Sequence, residues 1–379
     1  MKILLNTPVL AIATILTTSL ATSIFSCNYV SAHNINVTER SNRNLLAQTP
    51  QKQAENLLTS GNRKFEKKDY AGAIADFSQA IRIDPNFEKA VYNRAVAADL
   101  SGNRQGAIDD YTLSIKLNPR NINSYFNRAT AKEKNGDRQG AMSDLDRVIQ
   151  LDTSYVDAYL NRGNLWLEAN NVQAAIADFS QVIKLKPNRA DGYLNRGLAK
   201  YKLADRQGAI ADYDLAIKVN PNYEFAYGNR AWTKLELGDE RGALKDYDRA
   251  IALNPNNSLT YYNRANIRRK LGDNSGAISD YNKSIQLEPT NTFAYNNRGV
   301  AQENAKDFQA AINDFSKTIA IDPNFAEAYY NRAAARQALK DRSGAVTDFK
   351  TAAKLYQQQG NKNKSSDALN LVWQVQNQK

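Results

Sequence analysis

The chain has 379 residues, 42% of them hydrophobic, and 50 Lys and Arg against 39 Asp and Glu, for a formal net charge of +11. Its one cysteine, Cys27, and one histidine, His33, both lie near the N-terminus. The rest of the chain therefore has no thiol or imidazole for a zinc site of the usual kind, a disulfide, a Cys–His nucleophile or a Ser–His–Asp triad.

Residues 1–32 read as an export leader. Lys2 precedes an apolar run from Val9 to Leu16, followed by small residues to Ser23; the run is too short for a membrane span. Val30-Ser31-Ala32 suits cleavage after Ala32. A second reading takes Ile24-Phe25-Ser26-Cys27 as a lipoprotein box with Cys27 as the lipidated residue, although Phe25 is bulky for its place. Either way the protein is expected to be exported in a bacterial manner, to a periplasm or an equivalent lumen, free or anchored through Cys27. Removing 1–32 takes away one lysine and no acid, leaving +10. Nucleic acid is not expected as the partner of an exported protein, so the basic balance points to acidic partners or weak contact with anionic headgroups, beside ordinary solvated charge. Residues 33–49, polar and Asn-rich, read as a flexible tether.

From 50 to 359 the chain repeats every 34 residues. Proline stands at 85, 119, 187, 221, 255, 289 and 323, with Thr153 in the one gap, and alanine at 73, 107, 141 and on to 345 without exception. A large residue follows each alanine by four (Phe77, Tyr111, Leu145, Phe179, Tyr213, Tyr247, Tyr281, Phe315, Phe349), and a Gly or Ala precedes it by twelve. Each unit has two apolar-periodic stretches of helical length. The second follows an Asp or Asn suited to cap it, from Asp69 and Asn103 to Asp341, because such side chains accept from first-turn N–H groups. The prolines end it, since proline lacks the donor and restricts the residue before it. One hairpin cannot bury its own apolar stripe, so units must stack. Residues 360–379 read as a capping helix with Ala368, Leu369, Val372, Trp373 and Val375 toward the array.

These offsets resemble those of the tetratricopeptide repeat family, with nine units counted from 54, 88, 122 and so on. The resemblance implies an all-α, right-handed superhelical solenoid. The aromatic that the family usually places eleventh in each unit is mostly replaced here, by Lys64, Lys132, Lys200 and Lys234; Trp166 alone fits.

Two polar residues recur inside the first helix of each unit. At 100° per residue, the sixth position points away from the hairpin and the seventh sits at its buried edge. The seventh is Arg94, Arg128, Arg162, Arg196, Arg230, Arg264, Arg298 and Arg332, and the twenty-third is always aspartate: Asp76, Asp110, Asp144, Asp178, Asp212, Asp246, Asp280, Asp314 and Asp348. A ladder of charge-assisted Arg–Asp pairs is expected to hold helix registry. Unit one has Asp76 but Ser60 in place of Arg, which suggests that an Asp meets the Arg of the next unit and leaves Asp348 unpaired.

The sixth position is Asn93, Asn127, Asn161, Asn195, Asn229, Asn263, Asn297 and Asn331. In the family, first helices line the concave face. The row is similar to the asparagine row in the superhelical domain of O-linked N-acetylglucosamine transferases, which grips extended peptide backbone. A carboxamide offers donor and acceptor together. The other reading is that each Asn bonds a neighbouring helix or a local backbone group. Tyr92, Phe126, Leu160, Leu194, Leu198, Trp232 and Tyr262, at the fifth and ninth positions, either receive apolar side chains of a ligand or pack between first helices. The fifth position is never Lys and the sixth never Arg, so C-terminal carboxylate capture of the family's clamp type is not expected. The repeats leave no catalytic domain. The expected function is a non-enzymatic scaffold, without metal or cofactor, that binds extended segments of other exported proteins. The alternatives are a basic protein associating with anionic membrane or polymer, or an assembly factor that binds a folded partner.

Overall fold

The computed structural model describes residues 49–377. The expected leader, Cys27, His33 and all of the tether except Thr49 lie outside the described residues. Nine helical hairpins follow one another: α1 (Pro50–Glu66) with α2 (Tyr70–Ile83), α3 (Glu88–Leu100) with α4 (Arg104–Leu117), α5 (Ile122–Lys134) with α6 (Arg138–Leu151), α7 (Val156–Glu168) with α8 (Val172–Leu185), α9 (Ala190–Lys202) with α10 (Arg206–Val219), α11 (Glu224–Glu236) with α12 (Glu240–Leu253), α13 (Ser258–Lys270) with α14 (Asn274–Leu287), α15 (Thr292–Asn304) with α16 (Phe308–Ile321), and α17 (Ala326–Ala338) with α18 (Arg342–Gln358). A last helix, α19 (Lys362–Asn377), closes the series. This is an all-α solenoid. Among the described residues no helix is long and apolar enough to cross a membrane.

Local chemistry sets the hairpins. Every second helix is capped by its Asp or Asn, whose side chain accepts from the N–H three residues on, as Asp69 does from Gly72 at 2.9 Å and Asp341 from Gly344 at 2.9 Å. The turn between paired helices needs one residue in the left-handed region. Gly102, Gly136, Gly238 and Gly272 fill it at φ of 82–91°, but Lys68, Asn170, Ala204, Lys306 and Lys340 also adopt it. Ala204, at φ 63°, has a Cβ and no polar group to compensate. Ala204→Gly is therefore expected to stabilise the array by about 0.5–1 kcal/mol, read as a higher urea midpoint.

Each hairpin closes around the large residue of its second helix. Phe77, Phe179, Phe315 and Phe349 are 0% exposed. At Gly61, Gly163, Gly197 and Gly299 a Cβ would stand 2.5–2.6 Å from the facing ring, so the first helix lies on the ring with its backbone. First helices also approach the first helix of the next unit, whereas second helices do not come as close to one another. The stack thus curves with first helices on the inner face and second helices outside.

The C-terminus departs from the expected packing. Gln357 replaces the terminating proline, and α18 runs 17 residues where the other second helices run 14. In α19, Ala368, Val372 and Val375 are buried, but Leu369 is 53% and Trp373 68% exposed. The first three lie four and three residues apart on one face; Leu369 and Trp373 lie a further 100° round, beyond the seam.

Candidate functional site: the inner face and its seams

The arginine ladder is formed, but not with the connectivity expected. From unit two onward each Arg forks onto the Asp of its own unit, sixteen residues later, through Nε and Nη2. Representative distances are 2.7 and 2.6 Å for Arg94–Asp110, 2.8 and 2.6 Å for Arg128–Asp144, 2.8 and 2.6 Å for Arg162–Asp178, and 3.0 and 2.7 Å for Arg196–Asp212. Arg230–Asp246, Arg264–Asp280, Arg298–Asp314 and Arg332–Asp348 repeat the fork. Asp348 is therefore paired, with Arg332 of its own unit, and the link between units uses a different acceptor of the preceding unit. The remaining Nη1 reaches back to the preceding unit's second helix: Arg162 to Asp146 at 2.7 Å, Arg264 to Asp248 at 2.7 Å, Arg298 to Asn282 at 2.6 Å, and Arg94 to Ser78 at 3.2 Å. One guanidinium thus joins three helices, because its planar fork takes a carboxylate on one edge and leaves a donor for a second acceptor. In six units it also lies over the tyrosine one turn earlier, as Arg298 does over Tyr295 at 5.5 Å. Hydrogen bonding to Asp178, against the opposing effect of burial, raises the pKa of Arg162.

The sequence reading missed the second cation. The lysines that replace the family's aromatic at the eleventh position reach the same buried carboxylates: Lys64–Asp76 at 2.7 Å, Lys132–Asp144 at 2.9 Å, Lys200–Asp212 at 2.8 Å and Lys234–Asp246 at 2.8 Å. Arg268 and Arg336 do the same for Asp280 and Asp348, at 2.9 and 2.7 Å. The signal was a basic residue twelve before the aspartate. In unit one Ser60 donates to Asp76 at 2.7 Å in place of the arginine. Burial acts to raise the Asp76 pKa, but the Lys64 and Ser60 hydrogen bonds and the Lys64 charge together hold it below the ordinary value.

All eight asparagines of the row are partly exposed, and the structure divides them. Five donate from Nδ2 to the preceding unit: Asn93 to Asn62 at 2.8 Å, Asn127 to the Tyr92 hydroxyl at 3.0 Å, Asn195 to Asn164 at 3.1 Å, Asn331 to Asn296 at 3.2 Å, and Asn297 to both Tyr262 and Asn266 at 3.0 Å. The acceptors occupy the fifth or ninth place of the preceding first helix. Where those places hold two leucines, which cannot accept, the seam bond is absent. Asn229, behind Leu194 and Leu198, turns to the carbonyl of Phe225 on its own helix at 2.8 Å. Asn161 and Asn263 make no hydrogen bond to the preceding first helix among the described residues. Five of the eight thus make the bond to a neighbouring helix that the second reading expected, and most of the amide donors are used between units.

Of the neighbouring side chains, Leu160 and Leu194 are 3% and 1% exposed and pack between helices. Tyr92, Phe126, Leu198, Trp232 and Tyr262 keep part of their surface. Trp232 Nε1 donates to the Tyr201 hydroxyl at 2.7 Å, and that hydroxyl reaches Glu236 at 2.7 Å. Burial first, and Glu236 second, push the Tyr201 pKa up to about 12. Beside this, Leu259 and Phe293 are 37% and 44% exposed in the first turns of α13 and α15.

A stack of helical hairpins with one ribbed, partly exposed inner face is the architecture of a protein-interaction scaffold. Models described as tetratricopeptide repeat match residues 190–223, 226–257, 246–279 and 292–325, and one described as TPR repeat matches 61–98, 163–203 and 265–306. The chain belongs to the tetratricopeptide repeat family. A solved tetratricopeptide repeat protein from Parabacteroides merdae is 18% identical with a TM-score of 0.51, over 66% of this chain and 99% of its own. The C-terminal part of a TPR repeat-containing protein from Cytophaga hutchinsonii is 18% identical with a TM-score of 0.54, over 63% and 98%. No curated protein matches. These likenesses concern the repeat fold, not the asparagine row.

Proposed function

We propose that the array is a non-enzymatic scaffold whose inner face holds extended segments of other proteins. The observation that carries this reading is the row of partly exposed carboxamides along the first helices, in which Asn161, Asn229 and Asn263 keep their side chains clear of the seams between first helices. Asn161 and Asn263 can meet a guest backbone with donor and acceptor, while Asn229 shares its Nδ2 with the Phe225 carbonyl. Asn93, Asn127, Asn195, Asn297 and Asn331 have committed Nδ2 to a neighbour and offer chiefly their carbonyl oxygen. Backbone contacts of this kind are tolerant of sequence, and each nets about 0.5–1.5 kcal/mol, so a guest must span several units. With a leader of the kind read at 1–32, the guests would be other exported proteins.

The test compares binding of the full chain to arrayed unstructured peptides. The triple variant Asn161→Ala, Asn229→Ala, Asn263→Ala is expected to lose about tenfold or more in affinity with its melting unchanged. Asn297→Ala, which removes two seam bonds, is expected to lower stability as well. Binding that persists at high salt supports the groove, whereas loss with rising ionic strength indicates attachment by surface charge. Equal loss of stability in the triple variant would assign the row to structure alone.

A further inference from the structure

The chain's own repeats offer a comparison for one open place on the inner face, at Gly228. The fifth residue of the first helix is tyrosine in units two, seven and nine; Tyr330 of unit nine packs on Phe349 and has no row asparagine after it, while in units two and seven the surroundings are the same. The Tyr92 ring lies 6.0 Å from Tyr111 of the paired helix, and the Tyr262 ring 6.0 Å from Tyr281, at interplanar angles of 56° and 58°. Each hydroxyl accepts from the row asparagine of the next unit, Asn127 or Asn297, at 3.0 Å. A phenol, a second-helix tyrosine and a row asparagine make one assembly.

Unit six has two of the three parts. Tyr247 stands where Tyr111 and Tyr281 do, and Asn263 where Asn127 and Asn297 do. The fifth residue, however, is Gly228, and a Cβ there would meet nothing within 4 Å. No ring crowds this glycine, unlike Gly61, Gly163, Gly197 and Gly299, and its φ is not positive. A helix-interior glycine is destabilising relative to alanine, and neither packing nor backbone geometry requires it here. The remaining parts are also incomplete. Burial pushes the pKa of the Tyr247 hydroxyl up and Asn263 beside it acts the other way, although the two fall outside full hydrogen-bond geometry. Asn263 itself has no bond to the first helix of unit six. Phe225 and Trp232, three and four residues away on the same helix, are partly exposed.

We propose that the notch at Gly228 is a subsite for a tyrosine side chain of a bound extended segment, its hydroxyl accepting from Asn263 as Tyr92 and Tyr262 accept from Asn127 and Asn297. The proposal rests on the groove reading above and gives it a location, units six and seven, and a preferred side chain. The carboxamide of Asn263 distinguishes tyrosine from phenylalanine.

The probe is a short labelled peptide of alanine, serine and glycine with one central tyrosine, beside versions with phenylalanine or alanine there, titrated into the full chain by fluorescence anisotropy. The tyrosine peptide is expected to bind about tenfold or more tighter than the alanine peptide, and about fivefold tighter than the phenylalanine peptide through its hydroxyl bond. Gly228→Tyr, which fills the notch as units two and seven are filled, is expected to abolish the preference while melting at or above the wild-type temperature. Asn263→Ala should equalise the tyrosine and phenylalanine peptides. If peptides bind but prefer tyrosine no more than alanine, or if Gly228→Tyr leaves the preference intact, the subsite is refuted and the groove stands. If none of the arrayed or labelled peptides binds, both readings fall.

Discussion

Arg298→Ala is expected to destabilise the array by about 3–5 kcal/mol, whereas Arg264→Ala, the same substitution one unit earlier, should cost about 1.5–3 kcal/mol. The difference follows from what each leaves behind. Asp314 has a side chain only 8% exposed, and Arg298 is its one cation among the described residues, because Gln302 stands at the eleventh place of that unit. Removing the guanidinium leaves a buried carboxylate without a counter-charge, the case in which breaking a buried pair is most costly. It also cuts the 2.6 Å bond to Asn282 that ties unit eight to unit seven. Asp280 keeps Arg268 at 2.9 Å when Arg264 is lost, so the cost falls toward that of losing charge-assisted hydrogen bonds alone. Urea unfolding, with amide exchange across α15 and α16 to locate the loss, separates the two. Arg298→Met with Asp314→Leu should recover most of the stability, since well-packed apolar pairs commonly replace buried ion pairs without penalty. Equal losses for the two single variants would mean that the eleventh-position cation contributes nothing.

Phe179→Ala is expected to cost about 3–5 kcal/mol, the range for emptying a buried aromatic site. Phe179 is 0% exposed among Val156, Tyr159, Leu160, Val182 and Ala199, and it faces Gly163, where a Cβ would stand 2.6 Å from the ring. The glycine gives the first helix nothing with which to refill the space. Because a solenoid is held by nearest-neighbour contacts, damage in unit four should separate the melting of units one to three from that of units five to nine. The same truncation at Phe349 should fray only α17–α19. A cost below about 2 kcal/mol for Phe179→Ala would show that α7 collapses onto α8 and closes the cavity.

The sequence was most legible where the physics is local. Caps at Asp69 through Asp341, the prolines that end second helices, and the alanine and aromatic of each hairpin act within a few residues or one hairpin, and the 34-residue period shows them repeatedly. The arginine and aspartate could be matched by phase, since both lie on shoulders of one hairpin. The second cation escaped because Lys64, Lys132, Lys200 and Lys234 stood out only as departures from the family's aromatic. Their role depends on a long side chain bending to a carboxylate that phase alone does not show to be buried.

The sequence by itself determined the helical units, their caps and stops, and the residues that fill each hairpin. Only the tertiary structure decided how one unit meets the next. Whether an asparagine is spent or free depends on residues 31 or 35 positions earlier, such as Asn62 for Asn93 and Tyr92 for Asn127, and those meet only once the stacking register is set. The arginines' backward reach to Ser78, Asp146 or Asn282 is fixed the same way, and so is the outward turn of Leu369 and Trp373 after the lengthened α18. Local propensity acts along one helix, while the rotation between neighbouring hairpins is a compromise among all the side chains in the seam, and that compromise set which polar groups stayed exposed.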